Sequence, residues 1–319
     1  MRSKPTLTFA AVAFVLMGVA PVGARSVPGT TCRVFPANNA WHLNVSKLPL
    51  HPKGDLWKRS MHARGTDLHP DFGPPSYGMP FAVVDAGHPD VRVRFTYDDE
   101  SDPGPYPFGA TTPIEGGSDR HALMVDRSEC TLYELWNARW NDGRPTAGSG
   151  AVFRLEGAGA NRLRPAGWTS ADAAGLPVFA GLLRFDEVAA GEVDHAIRVT
   201  AICTSAKYLW PARHHAATGG WKCPPMGARF RLKAGFPLAA FSADARVILR
   251  AMKAYGLIVA DNGSDWYFQG TRDPRWTNDL LDELKSVPAK AFQAVDASGC
   301  KVAPSSARFA FGPGCPAPD

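Results

Sequence analysis

The chain has 319 residues, of which 45% are hydrophobic, and its 35 Lys and Arg against 30 Asp and Glu give a formal net charge of +5. This excess is mild, and the sequence has neither a basic run nor an RNA-binding motif, so we expect no nucleic-acid partner. The length allows a sizeable core, in one large β-rich domain or in two smaller ones.

The first 24 residues have the pattern of a secretion signal. Arg2 and Lys4 provide a basic start, the apolar run LTFAAVAFVLMGVA follows, and small residues precede a cleavage point after Ala24. The run is too short for a stable membrane span, and no later segment approaches the length that a span needs. We therefore expect residues 1–24 to be a signal peptide and the mature chain to be secreted or periplasmic, with no membrane span.

The six cysteines all lie after this segment. An even number of cysteines in an exported protein favours three disulfides. Spacing alone does not fix the connectivity, but proximity suggests Cys203–Cys223 and Cys300–Cys315, which leaves Cys32 and Cys130. If all six are paired, no thiol remains as a nucleophile, and the absence of a CxxC pair argues against a cysteine-bound zinc.

Short apolar runs, often alternating and separated by proline and glycine, indicate many short strands. They include MPFAVVDA, VRVRFTY, RHALMVD, TLYELW, HAIRVTAIC and ARFRLKA. The pattern predicts a mostly β fold, a single β-sandwich or jelly-roll-like domain over residues 25–297 with a few peripheral α-helices. Residues 37–77 are expected to form surface loops, and residues 298–319 to form a Pro/Gly/Ala-rich tail that its cysteines anchor.

The segment SDRHALMVDRSECTLYELW, residues 118–136, has the pattern of a β-hairpin with polar residues on its core-facing side. A turn at Arg127-Ser128 places His121 opposite Glu134 and brings Asp119 to the same end of that face. A register error of two residues would change the partners and keep the face.

An imidazole beside carboxylates and an apolar wall is typical of an acid–base site, because each shifts the pKa of the other. We therefore predict His121 as a general acid or base that Glu134 or Asp119 tunes. A structural interpretation stays open, in which His121 and Glu134 only satisfy each other in a half-buried sheet.

A second strand repeats this pattern. The letters HAIRV from His195 resemble HALMV from His121, and Asp194 directly precedes His195. If the two strands are neighbours in a concave sheet, their polar ends converge in one cleft. We therefore predict Asp194 and His195 as the second acid–base element.

The loop between Cys203 and Cys223 concentrates aromatic and basic residues that suit sugar recognition. Its candidate substrate-binding residues are Tyr208, Trp210, Arg213 and His214. Arg120 and Trp136 of the hairpin are further candidates of this kind. In the structural alternative, the tryptophans pack the loop onto the sheet.

We predict no cofactor and no metal. His121, His195, His214 and Glu134 would form a chemically sensible zinc set, but no motif such as HExxH fixes their spacing. Metal binding therefore stays a minor alternative.

The last third of the chain contains the clearest helix. Ser242 is a good N-cap, apolar residues follow at helical spacing, and Gly256 can end the helix. The strand LIVADNG comes next, and a second helix is expected at TNDLLDELKSV, before Pro288. One or two helical turns are expected at residues 169–175. We interpret Asp261 and Asp265 as turn caps rather than site residues.

Six segments give the chain a resemblance to other proteins: FPANNAW, LHPDFG, GGSDRHAL, WTSADAAGLP, WPARH and NGSDW. On these the chain resembles an uncharacterised family of exported bacterial proteins. The resemblance spans nearly the whole mature chain and implies a single continuous unit, and it carries no activity.

We expect an exported enzyme that cleaves a polysaccharide, by hydrolysis or β-elimination. Three observations lead to this expectation: the predicted export, the nine tryptophans, and two strands that begin with an acidic residue and a histidine near an aromatic loop. Arg213 and His214 would bind a carboxylate or hydroxyl, Trp210 or Trp136 would stack on a ring, and Arg213 or Arg120 would supply the cation that a lyase needs. The alternative is a non-catalytic secreted protein that binds glycans or surfaces.

Overall fold

The structure is a computed structural model that describes residues 25–318, so the predicted signal peptide lies outside the described residues. Strands outnumber helices, which confirms the β-rich class. The strands are β1 His69–Pro70, β2 Phe81–Val84, β3 Arg94–Phe95, β4 Ala122–Asp126, β5 Thr131–Trp136, β6 Thr146–Ala147, β7 Ser149–Arg154, β8 Ile197–Ala201, β9 Arg229–Leu232, β10 Leu257–Asn262, β11 Tyr267–Phe268 and β12 Phe292–Val295. The α-helices are α1 Gly54–Ser60, α2 Phe185–Ala189, α3 Ala243–Ala254 and α4 Asn278–Lys285.

The described strands form a six-stranded, a four-stranded and a two-stranded sheet. Their orders are β1-β11-β8-β10-β9-β12, β2-β4-β5-β7 and β3-β6. All three sheets contain parallel pairs, such as β8 with β10 and β2 with β4. A jelly-roll is built from antiparallel strands. The sandwich or jelly-roll part of the prediction is therefore not confirmed.

One irregularity in the six-stranded sheet positions a site residue. Along β8 and β10, Val259 pairs with Val199, but the next pair joins Asp261 to Thr200, so Ala260 is an extra residue on β10. Side chains alternate across a strand, and an extra residue reverses the alternation beyond it. The bulge therefore moves the Asp261 side chain onto the sheet face that also carries Arg198 and Thr200.

The predicted hairpin exists as β4 and β5, with a register two residues from the predicted one. Leu123 lies opposite Glu134, and Val125 lies opposite Leu132, because the turn covers Arg127 to Cys130. The predicted pairing of His121 with Glu134 is therefore wrong. The shift is even, so the predicted face is retained.

Both predicted helices are confirmed. The Ser242 hydroxyl accepts a hydrogen bond from the Ala245 amide at 3.2 Å at the start of α3, and Gly256, with φ +75°, follows its end. Thr277 caps α4 in the same way. The helical turns predicted for residues 169–175 are absent, because the Ser170 and Asp172 side chains hydrogen-bond the segment's own backbone and hold it in turns.

All three suggested disulfides are present: Cys32–Cys130, Cys203–Cys223 and Cys300–Cys315. The last one closes the tail on itself, and backbone contacts fix the tail to the body. The Ala307 amide donates to the Asn161 carbonyl at 2.7 Å, and the Trp210 indole donates to the Ser306 carbonyl at 2.7 Å. The division of the chain at residue 297 stays a prediction.

The sequence suggested that residues 37–77 form surface loops, and this prediction is wrong. They contain α1, and their Trp41, Trp57 and Met61 side chains are buried in the main core. Large apolar side chains spread through an irregular segment account for this burial. No helix in residues 25–318 has the length and hydropathy that a membrane crossing requires.

Candidate functional site

Two adjoining cavities form the candidate site, and we call them together the cleft. Their volumes are about 330 and 290 Å³, and both are lined by Asp119, Asp261 and Asn262. The larger cavity is also lined by Tyr97, Glu100, Trp136, Thr169, Asp172 and His214. The smaller one is also lined by Asp71, Glu115, His121, Arg198, Thr200 and Tyr267. The cleft therefore lies between the edge of the hairpin and the bulged end of β10.

Asp261 stands at the junction of the two cavities. The β10 bulge places it there, with 25% of its side chain exposed and its Oδ2 3.5 Å from Nη2 of Arg198. Burial raises the pKa of the Asp261 carboxyl to about 7, and the negative charge of Asp172 adds to this rise. A carboxyl with such a pKa can both give and take a proton near neutral pH.

Asp172 is the buried partner of Asp261. Its Oδ2 lies 3.1 Å from Nη2 and 3.2 Å from Nε of Arg198, and its Oδ1 accepts a hydrogen bond from the Ala174 amide. Burial raises the pKa of Asp172 although Arg198 opposes the rise. Arg198 is only 2% exposed and also donates to Gln269 at 2.9 Å. Burial alone would lower the pKa of Arg198, but the charges of Asp172 and Asp261 outweigh burial and raise it.

His121 forms a different pair from the predicted one. Its Nδ1 lies 2.5 Å from Oε2 of Glu115, and its Nε2 lies 3.0 Å from the Ala171 carbonyl oxygen. Both partners are acceptors, so the geometry suits the doubly protonated imidazolium. Burial alone would lower the pKa of His121, but Glu115 outweighs burial and raises it. Burial would likewise raise the pKa of Glu115, and the hydrogen bond with His121 lowers it instead.

Glu134 is fully buried and lines neither cavity of the cleft. Its two carboxyl oxygens accept hydrogen bonds from the Val178 and Phe179 amides at 2.9 and 2.8 Å. Burial raises the pKa of Glu134 to about 7 despite these bonds. These hydrogen bonds attach a loop to the hairpin, and His121 acts on Glu134 only through its charge, which lowers the pKa of Glu134.

Asp119 is exposed and lines both cavities, as Asp261 does. The following residue, Arg120, has φ +50°, and its guanidinium Nε donates to the Ala138 carbonyl at 3.2 Å. This local turn directs the chain into β4. Arg120 lines neither cavity, so the structure does not bring it to the cleft with Asp119.

The second predicted acid–base element lies elsewhere. His195 is buried with its Nε2 3.1 Å from Glu187, and Asp194 lies 3.7 Å from His42. The expected convergence of His195 with His121 is wrong. His195 precedes β8 on the face of Ile197 and Val199, while Arg198 alternates to the face of the cleft.

The predicted substrate-binding residues of the loop from Cys203 to Cys223 lie in two different cavities. His214 reaches the cleft, where its Nδ1 lies 2.8 Å from the Ala173 carbonyl oxygen and its Nε2 lies 3.7 Å from Glu100. Tyr208, Trp210 and Arg213 line a separate cavity of about 450 Å³. Trp136 of the hairpin lines the larger cavity of the cleft, as does Tyr97, and their ring centroids are 6.2 Å apart.

Sequence reasoning missed Glu115, Asp172 and Arg198 and assigned Asp261 to a turn. One signal was available: Arg198 sits inside an apolar strand, and burial of a guanidinium favours carboxylate partners. The turn interpretation is wrong for Asp265, whose carboxyl accepts from the distant Ile202 amide at 2.8 Å and pairs with His62. For Asp261 it is incomplete, since the same carboxyl accepts from the Asn262 amide and lines the cleft.

The four residues of the alternative zinc set have separate partners, as described above. Within residues 25–318, no group of three or more His, Cys, Asp or Glu side chains has the arrangement of a metal site. In comparisons with known proteins, no family model matches the chain, and no curated protein and no solved structure matches it.

Proposed function

We propose that the chain is an exported enzyme that hydrolyses a polysaccharide, with Asp261 as the acid that protonates the leaving oxygen. One observation carries this proposal: a partly exposed carboxyl with a pKa of about 7 lines both cavities of the cleft, and exposed Asp119 lines both of them as well. Glycoside hydrolysis uses two carboxyl groups of this kind, one protonated and one ionised.

In this mechanism Asp261 donates its proton to the glycosidic oxygen as the bond to the anomeric carbon breaks. Asp119 acts on the opposite side of the sugar, as the base that activates water or as the nucleophile. Asp172 and Arg198 are buried in the walls of the cleft, and we assign them as positioning residues because the charges of both act on Asp261. Arg198 holds Asp261 in place, while burial, aided by the charge of Asp172, raises the pKa of Asp261 so that it can carry a proton near neutral pH.

The larger cavity supplies a surface for a sugar ring. Tyr97 is 48% exposed, and the half-buried Trp136 lies beside it. Aromatic faces offer a large apolar area with little conformational entropy to lose, and this suits the apolar face of a sugar. His214 and Asn262 add polar groups at the same wall.

The charges of the cleft favour hydrolysis over β-elimination. A lyase that acts on uronates needs a cation beside the sugar carboxylate, and Arg213 and Arg120 lie outside the cleft. Arg198 is bound to Asp172, Asp261 and Gln269. The lining also includes the acidic residues Asp71, Glu100, Glu115 and Asp119. Such a lining repels an acidic polymer, so the proposed substrate is a neutral or amino-bearing glycan.

Three disulfides among the described residues support an oxidising compartment, which agrees with the expected export. The alternative, a secreted glycan-binding protein, is favoured by the same ring pair, Tyr97 and Trp136, because stacking alone suffices for binding.

The test is a screen of purified protein against neutral, amino-bearing and acidic polysaccharides, with assays for new reducing ends and for the absorbance of unsaturated products. We expect reducing ends from a neutral or amino-bearing polymer and a loss of about 100-fold or more in Asp261→Asn. Asp90→Asn, an exposed aspartate outside the cleft, should keep full activity. Binding without product would support the alternative, and unsaturated products from an acidic polymer would contradict both proposals.

A further inference from the structure

A third cavity, of about 450 Å³, lies between the disulfide-closed loop and the C-terminal tail, away from Asp261. Its charged and aromatic lining consists of Tyr208, Trp210, Arg213, Arg229, Asp296 and Lys301. The loop supplies the first three of these residues, and the tail supplies Lys301. We call this space the tail cavity.

Arg229 is a buried cation in the tail cavity that no anion compensates within residues 25–318. It is 2% exposed, and its guanidinium donates only to the Tyr255, Ala40 and Leu43 carbonyl oxygens, at 2.9 to 3.2 Å. Burial lowers the pKa of Arg229 to about 9, and among the described residues no acidic group opposes this shift. Carbonyl oxygens satisfy N–H groups but do not neutralise a full charge, so the desolvation cost of this cation remains.

The other basic residues of the tail cavity also lack acidic partners among the residues that the structure describes. Arg213 donates to the Arg164 and Pro304 carbonyls, both at 2.8 Å, and Lys301 is exposed. The only carboxylate in the lining, Asp296, accepts from the Ser298 amide at 2.9 Å, and its charge interacts with His51. The cavity therefore carries more positive than negative charge.

We propose that the tail cavity binds an oxyanion, a phosphate or carboxylate group carried by a small ring compound. Arg229 supplies a fixed charge from within the protein, while Arg213 and Lys301 supply charge nearer to solvent. Guanidinium groups present paired N–H donors that match the oxygens of either anion. Tyr208 and Trp210 offer ring surfaces beside the charges, and the bound anion would supply the negative charge that Arg229 lacks.

Calorimetric titration of purified protein at low salt tests the proposal, with inorganic phosphate, glucuronate and uncharged glucose as probes. We expect saturable binding of phosphate or glucuronate and none of glucose. Lys301→Gln and Arg213→Gln should each weaken that binding about tenfold, because each removes a charge-assisted contact. Lys207→Gln, an exposed lysine of the same loop outside the cavity, should bind like the wild type.

The two probes distinguish a phosphate site from a carboxylate site, and binding of either supports the proposal. The absence of saturable binding of both would overturn it, as would an equal loss in Lys207→Gln, since that result would indicate general surface charge. Lys301 is exposed, so its variant should fold, and circular dichroism checks this. The titration needs no turnover, and Asp261→Asn should bind like the wild type, so the result is independent of the proposed hydrolysis.

Discussion

Asp172 and Asp261 share one nitrogen of a buried guanidinium: Nη2 of Arg198 lies 3.1 Å from one carboxylate and 3.5 Å from the other. Asp172 comes from a loop and Asp261 from a bulged strand, so the pair exists only in the folded chain. One cation cannot offset two buried negative charges, and the cheaper state keeps a proton on one carboxyl. The pKa values of both carboxyls are raised, in agreement with a proton being retained on one of them.

Replacing Arg198 should therefore lower the free energy of unfolding substantially. Arg198→Gln leaves Asp172 and Asp261 without their cation, and breaking a buried ion pair in this way costs about 3–5 kcal/mol. The loss should be largest above pH 7, where the carboxyls must ionise, and should shrink in acid as both take up protons. Urea unfolding of the wild type and the variant across this range measures it.

Arg275→Gln is the matched control for this substitution. Arg275 pairs with Asp273 at the surface with 54% of its side chain exposed, so its loss should cost less than about 1 kcal/mol. Equal losses in the two variants would show that Arg198 does not carry the buried charge.

The pair of Glu115 and His121 should be most stabilising in mildly acidic solution. The pKa of His121 is raised from 6.5, so its contribution is complete below that pH and is lost as the pH rises through the folded value. The pKa of Glu115 is lowered from 4.5, so its contribution is complete above that pH and is lost towards acid. The two conditions overlap between pH 4.5 and pH 6.5.

A double-mutant cycle of Glu115→Gln and His121→Gln checks this. In urea unfolding at about pH 5.5, the coupling energy should exceed about 1 kcal/mol, and it should decline at alkaline pH as the imidazolium loses its proton. A coupling energy near zero at that pH, or one that grows in alkali, would contradict the assignment of a charged pair.

Two adjacent glycines should respond differently to alanine. A Cβ at Gly219 would lie 2.5 Å from Sγ of Cys223 and 2.9 Å from Cβ of Cys203, whereas a Cβ at Gly220 meets nothing within 4 Å. Gly219→Ala should therefore destabilise the protein by about 1–3 kcal/mol through overpacking against the disulfide. Gly220→Ala serves as its control.

Thermal unfolding of both variants gives the comparison. Gly220→Ala should unfold within about 0.5 kcal/mol of the wild type, as most unconstrained surface changes do. In a Cys203→Ala/Cys223→Ala background, Gly219→Ala should cost less, because the clashing sulfur is gone. If Gly219→Ala destabilises the variant without the disulfide as much as the wild type, the steric clash is not with the disulfide.

Local patterns predicted the parts of the fold that depend on neighbours in sequence. Ser242 and Gly256 delimit α3 through capping, and the alternation from Leu123 to Glu134 identifies the buried face of the hairpin. An even register error does not disturb alternation, so the face was correct although the partners were wrong. Of the predicted site residues, Asp119, His214 and Trp136 line the larger cavity of the cleft; Asp119 precedes β4, Trp136 ends β5 and His214 lies in a loop.

The rest depends on long-range geometry that alternation cannot reveal. Strict alternation puts Asp261 on the same face as Leu257 and Val259, and only the extra residue, Ala260, turns it towards Arg198. Nothing local marks that bulge. The partner of His121 is Glu115, which lies in the loop before the hairpin, so no pairing rule for strands could identify it.

The pH dependence of turnover tests most directly the role of Asp261 as proton donor. On a neutral or amino-bearing glycan that the wild type cleaves, kcat/KM should fall about tenfold per pH unit above a pKa near 7, because the donor must be protonated. In Asp261→Asn this alkaline limb of the pH profile, the fall of kcat/KM above pH 7, should disappear and leave a low residual rate that does not change with pH. A wild-type rate that stays level or rises from about pH 6 to pH 9, or an Asp261→Asn variant that keeps the limb, would contradict the account.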